Sequence, residues 1–217
     1  GEDFDKYPRT LDADTALLEG KADIVFAPSA QDVYPPELEI QTKHAGPVGN
    51  LFEGASRPGH FDGMLTVVAR LFDLVRPDIA VFGQKDAQQL ALVTNMAAAD
   101  YPSLEVIAAE TVREPSGLAM SSRNRFLNSE QFEIAEILAI SLLAVCELIE
   151  SGMAASAALE IGREMISGEP ETKLDYLALV EPSTFVPLND GATGPALLIV
   201  AAQVGEVRLI DNLPFQI

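Results

Sequence analysis

Positive charge is what this sequence has least of. Its 217 residues carry 14 Lys and Arg against 33 Asp and Glu, a formal net charge of −19. A protein that grips nucleic acid needs a basic stripe to displace the counterions of the phosphate backbone, so this balance excludes DNA or RNA as a partner. The acidity serves solubility instead. Cysteine is equally scarce: Cys146 stands alone, which rules out an internal disulfide and fits a reducing cytoplasm. It lies inside an apolar helical stretch and reads as a small core residue. No uncharged apolar run is long enough to span a bilayer, and no basic stretch leads into an apolar one. Neither a membrane partner nor a secretory signal is therefore expected. Internal repeats and low-complexity segments are lacking too. With 48% hydrophobic residues, the chain has ample material for one large domain or two small ones.

The few basic residues are not scattered evenly. Lys85, Arg113, Arg123 and Arg125 fall in or beside two loop-like segments containing Gly and Ser, which points to an anionic small-molecule ligand. The first segment, Phe82-Gly83-Gln84-Lys85-Asp86-Ala87-Gln88-Gln89, follows the strand-like Ile79-Ala80-Val81 and opens a helical pattern from Ala87 to Ala99. A glycine at the carboxyl end of a strand, before a helix start, is where open α/β sheets bind nucleotides. Gly83 lets another group approach the backbone, and the first helical N–H groups face an anion. Lys85 suits phosphate and Asp86 suits ribose hydroxyls. The plain alternative is a strand ending in a solvated Lys-Asp turn. The second segment, Thr111 to Arg125, has Pro115, Gly117 and no periodicity. Its Met120-Ser121-Ser122-Arg123 run offers two hydroxyls and a guanidinium fork for phosphate oxygens, the alternative being a serine-rich hinge.

Along the chain, Thr10 reads as the N-cap of a short helix over 11–19, with Asp12 and Asp14 in its first turn and Gly20 as its stop. Those two carboxylates complement the helix dipole, with Mg2+ contact as the alternative. Asp23 to Ala27 reads as a strand, Tyr34-Pro35-Pro36 as a turn, Leu38 to Ala45 as extended, and Asn50 to Gly63 as irregular. Met64 to Val75 is helical in spacing and stops at Pro77. Strands at 79–82 and 104–108 flank the helix 86–99, and this alternation means a parallel sheet with helices on its faces. After Thr111 the pattern changes, so domains of 1–111 and 112–217 are expected. A long helix from Ser129 to Ser151, with an Asn128–Gln131 capping box, precedes a second over 154–167. Strands at 174–180, 196–204 and 207–210 then form a small antiparallel sheet, the last two joined by Gly205-Glu206 with Gly first.

Four segments, taken together and in this order, carry a resemblance. They are Asp5-Lys6-Tyr7-Pro8-Arg9-Thr10, Glu53-Gly54-Ala55-Ser56-Arg57-Pro58-Gly59-His60-Phe61, Phe82-Gly83-Gln84-Lys85-Asp86, and Gly117-Leu118-Ala119-Met120-Ser121-Ser122-Arg123-Asn124-Arg125. From Asp3 to Asn212 the chain resembles the pantothenate synthetase (pantoate–β-alanine ligase) family. That resemblance implies an α/β fold: a Rossmann-like nucleotidyltransferase domain, a smaller α+β lid domain with an antiparallel sheet, and usually a homodimer. It places Gly83, Gln84, Lys85 and Asp86 along ATP, with Lys85 at the phosphates and Asp86 at the ribose. Gln89 would bind pantoate, Val112 and Met120 would border adenine, and Ser121, Ser122 and Arg123 would hold phosphates under the lid. Lys85, Arg123 and the two serines would thus act in catalysis. Where many relatives have Gly-Glu-Lys-Asp, Gln84 removes one negative charge near the triphosphate.

The implied chemistry is ATP-dependent condensation of pantoate with β-alanine through a pantoyl adenylate, with Mg2+ accompanying ATP, by a cytoplasmic ligase. The family's paired histidines, one turn apart at a helix N-terminus, and its later glutamine have no counterpart here. His44 reads as a surface residue. His60, beside Arg57, is either a polar contact near the phosphates or a residue that orders its Pro/Gly loop. The expectation is an N-terminally incomplete nucleotide-binding domain lacking at least one βαβ unit of about 30 residues or more. Two alternatives stay open: a catalytically incomplete module for nucleotide binding or dimerisation, and a related nucleotidyltransferase with another acid substrate.

Overall fold

A computed structural model describes residues 10–217, so the Asp5 to Arg9 part of the first motif lies outside the described residues. Backbone contacts divide the chain at Ile40 and Gln41. In the first unit, α1 (Leu11–Leu18) is exposed along its whole length. Thr10 does not cap it as expected: its hydroxyl instead donates to the Asp14 side chain at 3.3 Å. Gly20, at φ 72°, ends it as anticipated. A second helix, α2 (Ala30–Val33), is closed by a capping box between Ser29 and Asp32. The expected strand at Ile24-Val25-Phe26 does not form. These residues pair with no strand among the described residues and are largely exposed. A β-branched run makes a strand only when a neighbour takes up its backbone groups.

The second unit begins with the segment leading to α3 (Glu53–Ser56) and α4 (His60–Val75). Residues 50–63 are therefore more ordered than their Gly/Pro content suggests. Strands β1 (Ile79–Gly83) and β2 (Glu105–Ala109) pair in parallel, joined by α5 (Ala87–Asp100). This is the expected strand–helix–strand unit. Its core packs Phe61, Leu65, Val68, Ala69 and Phe72 of α4 against Leu92, Val93 and Met96 of α5. Tyr101 closes the end, donating to the Ala69 carbonyl at 3.1 Å and to Asp73 at 3.0 Å.

The long helix expected over Ser129–Ser151 is two, α6 (Ser129–Ala135) and α7 (Ile137–Glu150), with a tightened turn at Glu136 whose N–H reaches back to Glu133. The Asn128–Gln131 capping box is present. After α8 (Ala155–Gly168) come β3 (Thr172–Val180), β4 (Pro195–Val204) and β5 (Val207–Gln216), antiparallel in the order β3-β4-β5. The turn at Gly205 (φ 55°) joins β4 to β5 with Val204 opposite Val207. Central β4 is buried on both faces. Ala196, Leu198, Val200, Ala202 and Val204 meet Leu138, Leu142 and Val145 of α7 and Leu159 of α8, while Leu197 and Ile199 turn toward Ala91 of α5 and Phe185. Cys146 is buried as expected, and burial followed by the nearby Glu150 and Glu147 charges pushes its thiol up to about 11.

Strand β5 runs past its expected end at Ile210 because residues 211–216 pair with residues 195–200 of β4, with Asp211 and Asn212 buried. Pro214 is tolerated on this edge strand. In β3, Asp175 is an inserted residue, since Leu174 pairs with Ala202 and Tyr176 with Ala201. Such bulges re-aim side chains.

Candidate active site

The second unit holds a cleft lined by residues from α3, the start of α4, the β1–α5 junction and the antiparallel sheet. Lys85, Asp86, Gln89, Arg57 and His60 all line it. The Phe82-Gly83-Gln84-Lys85-Asp86 segment, through its last two residues, and the Arg57-Pro58-Gly59-His60 loop thus meet in one place. At Gly83 no heavy atom stands within 4 Å of where a Cβ would sit, and its φ is not positive. Neither packing nor backbone conformation demands this glycine; it leaves open space over the strand end. Asp86 is the N-cap of α5 but makes no side-chain cap bond. The first amides of the helix therefore keep their hydrogen-bonding capacity and partial positive charge. Among the described residues, no partner engages the Lys85 ammonium or the Asp86 carboxylate. Arg57 and His60 are in contact, Nη1 to Nε2, at 2.8 Å.

Three features of this cleft escape a reading of local pattern. The first is Gln88, 4% exposed in the first turn of α5. Its amide donates to the carbonyls of Val48 (2.8 Å) and Leu51 (2.9 Å) and accepts from the Glu53 N–H (3.1 Å). It ties the α3 segment to the helix that carries Gln89. A glutamine amid the apolar positions of α5 was its only local signal.

The second feature is Glu53. Phe52, in the left-handed region at φ 46°, aims it inward, and the Phe52 ring meets Tyr176 edge-on at 5.2 Å. Strained positions of this kind persist only where surrounding contacts hold them. The Glu53 carboxylate receives the Arg208 guanidinium as a fork (2.6 and 2.8 Å) and the Tyr176 hydroxyl at 2.8 Å. The β3 bulge brings Asp175 to Arg208 Nε at 2.6 Å. Burial alone would raise the Glu53 carboxyl, but the Arg208 hydrogen bonds and charge outweigh it and hold the group below its ordinary 4.5. Burial, and then the Glu53 charge, push the Tyr176 hydroxyl up.

The third feature is the Asp211-Asn212 pair on β5, 3% and 2% exposed. The Asn212 amide donates to the carbonyls of both Gln84 and Lys85 at 2.9 Å. Asp211 takes the Arg113 guanidinium as a fork, at 2.6 and 3.0 Å.

The remaining expected site residues do not line this cleft. Val112 and Met120 sit side by side across a short antiparallel bridge, the Met120 N–H donating to the Val112 carbonyl at 2.9 Å. Both side chains are exposed, at 67% and 49%, so two apolar groups lie where a flat ring can rest on them. The Ser121 hydroxyl accepts from the Arg123 N–H at 3.2 Å, while Ser122 stays exposed. Asn124, 8% exposed, pins this turn by donating to the Ala119 carbonyl. His44 is a surface residue, pairing with Asp62 at 2.9 Å. No cluster of three or more metal-ligating side chains occurs among the described residues, and no helix among them is long and apolar enough to cross a membrane.

Comparison with known proteins identifies the family. The family model described as Pantoate-beta-alanine ligase matches residues 1–214. Pantothenate synthetase of Leifsonia xyli subsp. xyli is 51% identical over 212 residues, which cover 98% of this chain and 73% of the relative. A crystal structure of pantothenate synthetase from Thermus thermophilus superposes with a TM-score of 0.91 at 47% identity, over 98% of this chain and 77% of that one. The Francisella tularensis pantoate–β-alanine ligase, solved in complex with β,γ-ATP and β-alanine, gives 0.68 at 32% identity, over 97% of this chain and 72% of its own.

Proposed function

The chain belongs to the pantoate–β-alanine ligase family, and from that premise we propose that it joins pantoate to β-alanine at the expense of ATP, with Lys85, Asp86 and Gln89 at the centre of the site. The observation that carries this reading is the convergence of Lys85, Asp86, Gln89, Arg57 and His60 on one cleft beside the open N-terminus of α5. A carboxylate is a poor electrophile, so the first step supplies it with a leaving group. A pantoate carboxylate oxygen attacks the α-phosphorus, the bond to the bridging oxygen breaks, and pyrophosphate departs. The β-alanine amine, as the free base, then attacks the acyl carbon of the pantoyl adenylate. The C–O bond to AMP breaks, the nitrogen gives up a proton to solvent, and an amide forms.

Catalysis here is positioning and neutralisation of charge. In this assignment Lys85 and the helix amides meet the phosphates along Gly83-Gln84-Lys85, and Asp86 meets the ribose. Gln89 holds pantoate, one turn along the same helix. Val112 and Met120 flank adenine, and Ser121, Ser122 and Arg123 contribute donors from the second loop. Arg57, set by its contact with His60, adds charge on the cleft's other wall. Mg2+ enters as part of Mg-ATP. We take residues 112–217 as the lid domain. The single buried Cys146 supports a cytoplasmic location, and the family resemblance supports a homodimer, which sedimentation would reveal.

The test is pantoate-dependent exchange of labelled pyrophosphate into ATP by the 217-residue chain. Exchange that requires pantoate is expected, and Lys85→Ala should lower it roughly 100-fold, as loss of one preorganised donor does elsewhere. Lys85→Ala at the wild-type rate would remove Lys85 from the phosphate site. Absence of exchange from folded wild-type protein would leave a nucleotide-binding module without adenylation chemistry.

A further inference from the structure

We infer that Asp211 and Asn212 on β5 are positioning residues that set the two halves of the nucleotide site, Gln84-Lys85 and the Val112–Met120 loop, in one fixed register. This rests on the nucleotide reading above. The Asn212 amide spends both protons on carbonyls of the phosphate-site turn, Gln84 and Lys85. Because both partners are acceptors, the NH2 end must face them, and Oδ1 is left buried without a partner among the described residues. A buried acceptor left without a partner is destabilising. Its two hydrogen bonds fix where two consecutive carbonyls point.

Next to it, Asp211 grips the other half-site through Arg113. One guanidinium nitrogen bonds the Gly117 carbonyl (2.9 Å) and Asp211 Oδ2 (2.6 Å), and the other bonds Asp211 Oδ1 (3.0 Å) and the Asn212 carbonyl (3.2 Å). Arg113 is part of the bridge to Ala119 that sets Val112 beside Met120. The head of Arg113 therefore closes the loop and anchors it to β5 at once. A largely buried ion pair is weak evidence for stability, since desolvation offsets its attraction, but a planar fork on a fixed carboxylate defines geometry well. Two adjacent residues of one strand thus hold segments that approach ATP from different parts of the sequence. A misplacement of about 1 Å between them costs up to about 100-fold in rate.

Calorimetric titration of the whole chain with Mg-ATP tests this in four proteins: wild type, Lys85→Ala, Asn212→Asp and Arg113→Lys. Melting temperatures are measured alongside. Asn212→Asp turns a donor into a carboxylate facing two carbonyls, and Arg113→Lys keeps the charge but loses the fork. Both should raise Kd, by roughly 10-fold or more, with the stoichiometry still near one per chain. Mere structural damage would instead lower the stoichiometry and leave Kd alone, and that result overturns the inference. So does binding within about twofold of wild type in both variants while Lys85→Ala loses affinity, in which case the nucleotide reading survives by itself. Wild-type affinity in Lys85→Ala would sink both. If Asn212→Asp does not fold, Arg113→Lys decides by the same two readouts.

Discussion

The two sheets of the second unit invite comparison because they divide stability and chemistry unequally. In the antiparallel sheet, β4 is buried on both faces, and Leu198, Val200, Ala201, Ala202 and Val204 have no measurable exposure. In the parallel pair, Ile79 and Val81 of β1 and Ile107 of β2 are 52%, 62% and 39% exposed. Yet the candidate phosphate site grows from the end of β1, and the antiparallel sheet supplies mainly the side chains that brace it, Tyr176, Arg208, Asp211 and Asn212. The division suggests that truncations in the antiparallel sheet cost folding first, and those at the β1–α5 junction cost activity first.

The sharpest test of that division is a pair of truncations. Leu198→Ala, at a site with no exposure, should cost about 2–5 kcal/mol in denaturant unfolding. Val81→Ala should cost well under about 1 kcal/mol, since surface changes are usually within about 0.5 kcal/mol. Equal losses would erase the distinction.

Next in size is the bond between α3 and the antiparallel sheet. Glu53→Gln should destabilise at neutral pH by about 1–3 kcal/mol, because Arg208 and Tyr176 lose a charged acceptor. The native Glu53 carboxyl lies below its ordinary 4.5, so its contribution is fully present above that value. It is lost as pH falls through the lower native value. The gap between wild type and variant should therefore close in acid; a gap that stays constant with pH would show that the charge contributes nothing.

A smaller effect concerns Cys146. With its thiol pushed up to about 11 by burial and nearby glutamates, it should react with a thiol reagent at neutral pH only on the timescale of opening of the α7–α8 region. Rapid stoichiometric labelling of the folded protein would contradict that packing. Slowest to register is native-state hydrogen exchange, in which β4 amides should outlast those of β1.

Much of this was legible where local chemistry decides. The Asn128–Gln131 box, the Gly205 hairpin and the β1–α5–β2 unit formed as their residues suggested, because caps, turns and period are short-range effects. The elements that went otherwise depend on distant partners. Ile24-Val25-Phe26 has strand composition but no ladder among the described residues, and β5 continues through Asp211 and Asn212 to Gln216 along β4, which reaches back to Pro195. Lys85, Asp86, Gln89, Arg57 and His60 were identifiable as a group because each belongs to a recognisable segment. Glu53, Gln88 and Arg208 were not singled out as a set, since nothing in the spacing of residues 53 and 208 connects them.

That last separation has a consequence for how the molecule is made. Glu53 and Arg208 are 155 residues apart, and chains emerge from the ribosome at about 5–20 residues per second. On that clock, the α3 carboxylate waits on the order of ten seconds for its cation, and Phe52 gains the ring contacts that support its positive-φ backbone only when Tyr176 and Phe185 have been made. The wall of the cleft is thus a late event in synthesis, complete only once β5 has been made.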